Sequence, residues 1–379
     1  MHVLIVGAGI AGLALAGLLK RRGLAPQVVE RATDFSHLGY ALGLYPLGSR
    51  VLHGLGVHDD FLARSRPMET YRVCDGSGTP IRDYALGELF APYGSIGMIE
   101  RAALMDLLSA AACGVPIAMT TTVTSLDDRG DEVRVGFSDG SSARFDLVVG
   151  ADGVHSQVRG MVFGALPLRR TGWGGWFWWA AADPLPQGMA LECWGAGRML
   201  GTYAMAGRAA VFAGGPLEAT APEVLRGSAL PLRRHFAGLA GAAAGLLDSV
   251  PEDLAGAFFW QLDDLRADRW VHGRVALIGD AACGFLPTAG VGASMALESA
   301  AVLADELTRT DARRLPLALS LYERRRKRRT EGAQTDSRRI ARLMFVRSGA
   351  LAAARDVLLR FLTAERVMRN IVKSHAEPI

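Results

Sequence analysis

At 379 residues, half of them hydrophobic and 21% charged, the chain is long enough for two domains and too apolar to stay disordered. Its net charge is only +4, and its four cysteines stand far apart with no CxxC, which excludes a disulfide scaffold and a zinc framework and points to a reducing, cytoplasmic setting. No apolar run reaches about 18 residues without a glycine break, so no membrane span is expected.

The chain opens with a β-branched, apolar run, His2–Val6, which predicts a buried parallel strand. Gly7, Gly9 and Gly12 follow at GxGxxG spacing, residues 13–21 continue with helical periodicity, and residues 27–30 predict a second strand ending in Glu30. In that setting the first glycine permits a tight turn and the second lets a pyrophosphate approach the backbone. The third lets helix and strand pack closely, and the acid can accept hydrogen bonds from a ribose. This predicts one dinucleotide site, since no second GxGxxG occurs.

Residues 40–44 predict a strand and residues 48–55 a helix stopped by Gly56. A helix over 101–112 carries Leu104, Leu107 and Leu108 on one side. Strands are expected over 115–126 and 132–137, with a hairpin turn at Asp139-Gly140. Another buried strand, 145–149, runs into Gly150-Ala151-Asp152-Gly153, where a helix begins. From 165 to about 270, Trp173, Trp176, Phe177, Trp178, Trp179 and Trp194 crowd among glycines, and alternating runs such as 208–213 predict an antiparallel sheet. Such aromatics either fill a core or line an apolar pocket for a flat ligand.

The strand over 275–278 breaks at Gly279-Asp280, and the loop beyond it holds Gly284, Pro287, Gly290 and Gly292 before the chain turns helical near Ser294. Backbone N–H groups and a positive dipole end thus converge, which suits an anion or a developing negative charge. Helices are expected over 296–308, 315–329, 340–346 and 351–369. Residues 323–373 hold fifteen Lys/Arg against five Asp/Glu, but no aromatic interleaves with 324–329, so a solvated helix face is preferred to a nucleic-acid surface.

Three landmarks therefore stand in one order: the glycine motif with Glu30, the Asp152-Gly153 segment, and Gly279-Asp280. With the helix start at Arg101, the segment from Glu192 to Arg198 and the tail from Tyr322-Glu323, nearly the whole chain resembles the single-component (group A) FAD-dependent aromatic hydroxylases, the superfamily of p-hydroxybenzoate and salicylate hydroxylases. The resemblance implies an α/β fold. A Rossmann-like FAD-binding domain (1–70, 98–164, 272–310) would interleave with an antiparallel-sheet substrate domain (71–97, 165–271), and C-terminal helices (311–379) would pack on the FAD domain. It implies FAD as cofactor, NADH or NADPH and O2 as co-substrates, and hydroxylation of a small aromatic or polycyclic molecule through a flavin C4a-hydroperoxide. It also implies a monomer or homodimer, with no nucleic-acid partner and no metal.

By the same resemblance, Gly7, Gly9, Ala11 and Gly12 would surround the pyrophosphate, and Glu30, with Arg31 beside it, would hold the adenosine ribose. Val123 would meet the adenine end through its backbone, and Arg101 would approach the flavin and pyrophosphate. Asp152 and Arg159 belong to a segment used for FAD and nicotinamide, Asp280 would hold the ribitol or ribose, and Gly290, Gly292 and Ala293 would face the flavin's pyrimidine side. Gly43, Trp178, Tyr203 and Pro287 are the substrate-site candidates. No side chain is assigned a catalytic role, because the cofactor carries the chemistry.

Four residues depart from the family pattern. Cys283-Gly284 follow Ala282 where His-Pro is usual, Val291 replaces a glutamine, and Gly43 stands near the place of a base histidine in 6-hydroxynicotinate-type hydroxylases. An epoxidase, reductase or dehydrogenase on the same scaffold, or a low-turnover flavoprotein that binds aromatic ligands, therefore stays open. His53, His58, His155 and Cys283 are expected to be structural.

Overall fold

The computed structural model describes residues 1–35, 39–181, 185–239 and 244–377. Two sheets organise it. The first has six strands in the order Val271–His272, Val275–Leu277, Leu147–Gly150, His2–Val6, Ala25–Val29 and Ile117–Ala118, all parallel except the first edge strand. Its central strands are buried on both faces, as their unbroken runs of Val, Ile and Leu require. The Ile10–Arg21 and Gly292–Thr308 helices share its core, and no helix among the described residues is long and apolar enough to cross a membrane.

The second sheet has seven strands in the order Phe258–Gln261, Trp173–Ala180, Ala209–Pro216, Arg198–Ala204, Met189–Gly195, Thr70–Asp75 and Pro80–Ala85. All its pairings are antiparallel except that of Met189–Gly195 with Thr70–Asp75. Its two faces do different things. Trp176 and Trp178 pack on the back with Leu232 and Phe236 of the Ala229–Phe236 helix. Phe177, Phe212, Trp194 and Tyr203 look forward, toward the elements around the first sheet.

Three expectations change. The helix expected over 351–369 is divided: Gly349–Leu359 ends at Arg360, and Thr363, whose side chain accepts the Arg366 N–H, starts a separate short helix, Ala364–Val367, before Arg369–Ala376. The strand expected over 115–126 is two, Ile117–Ala118 and Val123–Asp128, because Thr120 takes a left-handed turn (φ 54°) and its N–H bonds the Ala32 carbonyl at 3.0 Å. The gap expected between helices 315–329 and 340–346 is closed by one helix, Leu315–Met344. Its middle lacks an apolar stripe because the buried face there is polar. The Gln334 amide donates to the Leu265 and Gly284 carbonyls at 2.6 Å each, Ser337 Oγ donates to Leu286 O at 2.9 Å, and Asp336 accepts the Asn370 and Ile371 N–H groups. Part of the basic run is also buried: Arg326 is 1% exposed and pairs with Glu298, while Arg324 and Arg328 face solvent.

Candidate functional site

The three landmarks meet at the C-terminal edge of the parallel sheet. Gly7 has φ +104°, and a Cβ there would lie 2.5 Å from the Ala151 carbonyl oxygen, while one on Gly12 would lie 1.9 Å from Gly7 O. Neither position admits a side chain, so the first turn packs directly on Ala151-Asp152. A Cβ on Gly279 would come within 3.0 Å of Ala11 Cβ, which sets the third landmark against the same helix. Arg159 joins the second and third: its buried guanidinium donates to Val154 O at 2.8 Å and Ala281 O at 2.9 Å.

Two helix starts open onto this junction, and neither is capped by a side chain. At the Ile10–Arg21 helix the N-cap is Gly9, whose Cα faces open space for 4 Å. At the Gly292–Thr308 helix the N-cap is Val291, and Gly290 before it is exposed, with Gly292 and Ala293 half-buried. Unpaired N–H groups and two positive dipole ends therefore face one cleft, the arrangement that holds phosphates and anionic rings.

The acids are placed around it. Glu30 Oε2 accepts the Ala8 N–H at 2.7 Å and Oε1 the Ala32 N–H at 2.9 Å, so its carboxylate braces the glycine turn from the adjoining strand end. Arg31 beside it is exposed, and the Thr121 N–H bonds Glu30 O at 2.9 Å, which brings Val123, two residues on, to the same end. Asp152 Oδ2 accepts the Gln157 and Val158 N–H groups at 2.7 and 3.1 Å, while its buried Oδ1 has no protein partner among the described residues. Asp280 is open to the cleft yet ringed by protein, and that poor solvation pushes its carboxyl up to about 6. Arg101 begins its helix beside Tyr40, whose ring lies 5.8 Å from the guanidinium; the charges of Arg101 and Asp280 both act on the Tyr40 hydroxyl.

Opposite Gly290 runs the Ala41–Leu44 strand. A Cβ on Gly43 would touch Met98 Sδ at 3.5 Å and the Gly290 carbonyl oxygen at 3.9 Å, so this narrow crossing is where a histidine would project. Tyr45 fixes the loop from behind: its N–H donates to Ser294 Oγ at 3.0 Å and its hydroxyl to Ala289 O at 2.9 Å. Tyr40, Met68, Tyr203, Trp260 and Phe285, all partly exposed, line the gap between this loop and the front of the second sheet.

Among the substrate-site candidates, Tyr203 stands in that gap and exposed Pro287 at its rim. Trp178 does not. It is fully buried on the back face with Nε1 donating to Ser249 Oγ at 2.9 Å, because strand alternation sends Phe177 and Trp179 forward instead. Cys283 is buried with its thiol pushed up to about 12, and His53 and His58 stack on each other at 3.5 Å at a helix corner. The sequence did not single out Tyr40, which lines the gap, nor the pair beside Tyr203: Glu192 accepts the Tyr203 and Tyr71 hydroxyls at 2.5 Å each. The signal for Glu192 was an acid inside an apolar strand.

The family described as FAD binding domain matches residues 1–337. The chain belongs to the group A FAD-dependent aromatic hydroxylases. It is 32% identical to the 3-amino-4-hydroxybenzoate 2-monooxygenase of Streptomyces cremeus, over 95% of this chain and 92% of that protein. It is 30% identical to the 6-hydroxynicotinate 3-monooxygenase of Pseudomonas fluorescens, over 88% of this chain and 89% of the relative. The solved structure of Klebsiella pneumoniae HpxO complexed with FAD and uric acid superposes with a TM-score of 0.90 at 28% identity, covering 99% of this chain and 97% of that one. The chain is thus an oxidoreductase of the FAD-dependent monooxygenase type. The site fits FAD: a cradle that a Cβ would fill, two uncapped helix starts, and the orphaned Asp152 Oδ1 are the polar features that a bound dinucleotide engages.

Proposed function

We propose that this enzyme uses NAD(P)H and O2 to hydroxylate a small aromatic or polycyclic molecule in the cytoplasm. The observation that carries this reading is the convergence of the Gly7, Asp152 and Gly279 turns on one cleft that faces, across Gly43, an aromatic sheet surface. Bound FAD, reduced by the nicotinamide and reoxidised by O2, supplies an electrophilic oxygen atom.

The chain's own residues bind, orient and exclude water. Gly7, Gly9, Ala11 and Gly12 receive the pyrophosphate, Glu30 and Arg31 the adenosine ribose, and the Val123 backbone the adenine. Arg101, Asp152, Arg159 and Asp280 hold the middle of the cofactor, with Arg159 acting through the Val154 and Ala281 carbonyls that it grips. The helix start at Gly290, Gly292 and Ala293 stabilises negative charge on the reduced ring. In this reading segments 1–70, 98–164 and 272–310 form the cofactor half, 71–97 and 165–271 the substrate half, and 311–379 a brace. Tryptophan and phenylalanine on the front sheet keep water from the reacting atoms.

The names of the relatives, whose substrates are benzoate and nicotinate derivatives, support a ring bearing hydroxyl or amino groups, in those proteins alongside a carboxylate, as substrate. The test is a panel of such compounds assayed for stimulated NADH and NADPH oxidation, with product masses measured. A product heavier by one oxygen atom is expected. Gly43 favours a second reading, a reductase or epoxidase on the same scaffold, because it offers no base to a phenol. Nicotinamide oxidation that yields a reduced organic product and no oxygenated one would select the reductase.

A further inference from the structure

The front of the seven-stranded sheet is apolar at its centre except for one constellation. Register places Glu192 between Gly201 on one neighbouring strand and Val73 on the other, facing the cleft side. Its Oε1 accepts the Tyr203 hydroxyl at 2.5 Å, and its Oε2 accepts the Tyr71 hydroxyl at 2.5 Å and Trp194 Nε1 at 2.7 Å. Glu192 itself is 5% exposed, whereas both tyrosine rings are partly open. Burial pushes the Glu192 carboxyl above its ordinary range, and the three donors pull it back.

The directions of these bonds matter. Each phenol has one proton, and both protons are committed to Glu192, so the hydroxyls turn only lone pairs toward the gap. Behind them sits a buried carboxylate. Of the cations at the edges of this face, Arg208 pairs with Glu100 over the Trp179 ring, while Arg82, two strands from Glu192, donates one group to the Arg360 carbonyl and keeps a buried Nε without a partner among the described residues. Arg355 lies behind Trp194 and donates to its carbonyl at 2.5 Å.

We infer that Glu192, through Tyr71 and Tyr203, selects aromatic substrates that present a hydrogen-bond donor, a hydroxyl or amino group, at this end of the pocket and rejects those that present a carboxylate there. An N–H or O–H meets two waiting acceptors. A carboxylate meets lone pairs and a like charge, both of which cost binding energy in an apolar site. The inference deepens the hydroxylase reading and rests on its placing the substrate in this gap.

The test is binding to the FAD-loaded enzyme without reductant, followed by flavin absorbance and tryptophan fluorescence. The probes are 2-naphthol and 2-naphthoate, equal in frame and opposite in hydrogen-bonding sense. Wild type should bind the naphthol at least about tenfold more tightly, the cost of one unmade buried hydrogen bond. Glu192→Gln frees a tyrosine proton and removes the charge, so it should shrink the ratio to below about threefold. Tyr203→Phe should weaken the naphthol by about tenfold and leave the naphthoate no better bound. Retained FAD in both variants shows that the fold is intact. Equal or reversed affinities in wild type, no binding of the naphthol, or an unchanged ratio in Glu192→Gln each overturns the inference. Because binding is read without turnover, a donor preference with no oxygenated product from any compound sinks the hydroxylase reading and spares this one.

Discussion

At the scale of single residues, Glu30 and Asp280 carry the sharpest expectations. Glu30 ties the Ala8 N–H of the glycine turn to the Ala32 N–H beyond its own strand, so Glu30→Ala loosens the cradle itself. FAD affinity should fall by about tenfold to a hundredfold, read by ultrafiltration of the apoprotein with added FAD. Asp280 is held near 6, and ribose hydroxyls hydrogen-bond its ionised form best. Cofactor binding should then release a proton below that pH, so FAD affinity weakens as pH drops from 7.5 to 5, by at most about tenfold per unit. In Asp280→Asn the affinity should be weaker and the pH slope flat; an unchanged slope argues against the role. The glycines were legible because their spacing is the geometry: Gly12 sits where a Cβ would strike Gly7 O. Trp178 and Glu192 were not. In the run from Trp173 to Ala180 aromatic residues occupy both parities, and only the neighbouring strands decide which parity meets the cleft.

Among the elements, the Leu315–Met344 helix is the least transparent in sequence and among the most connected in structure. Its Tyr322 hydroxyl bonds Leu277 O at 2.8 Å, and its Gln334 holds both the Leu265 and Gly284 carbonyls and accepts from Arg266 Nε at 2.7 Å. Apolar periodicity finds helices that bury carbon, and this one buries amides and hydroxyls from Thr330 to Ser337. Gln334→Leu keeps the bulk and strips two buried hydrogen bonds and one half-buried one. It should destabilise the protein by about 2–4 kcal/mol, measured by chemical denaturation of the apoprotein. The short strands and helices around the glycine turns were, by contrast, readable to within a few residues. There buried apolar runs, turn residues and helical periods all agree.

Across the whole molecule, the last helix closes against the elements that follow the Gly43 strand. Buried His375 packs on Tyr45, Phe90 and Tyr93, and burial lowers its pKa from 6.5 to about 4. Arg50 and Arg329 act with burial in that shift, and the Ile371 carbonyl and Glu298 act against it. A depressed folded pKa means that the unfolded chain binds more protons between those values. The contribution is complete above about 6.5 and is lost as pH falls toward 4, a span worth about 3 kcal/mol. The melting temperature of wild type should therefore fall relative to that of His375→Phe as pH drops from 6.5 to 4; parallel curves would contradict the assignment.

The strand order also has a consequence for how the enzyme is made. Gly7 to Gly12 leave the ribosome some 270 residues before the Val275–Leu277 strand, Asp280 and the second helix start. At ordinary elongation rates the growing chain therefore carries half a cofactor cradle for on the order of tens of seconds. The early Thr70–Asp75 strand likewise waits for Met189–Gly195, its parallel neighbour. FAD capture then waits until the second half of the cradle has emerged. A ribosome-stalled chain ending at residue 270 should take up no flavin, while one with its C-terminus beyond the exit tunnel should.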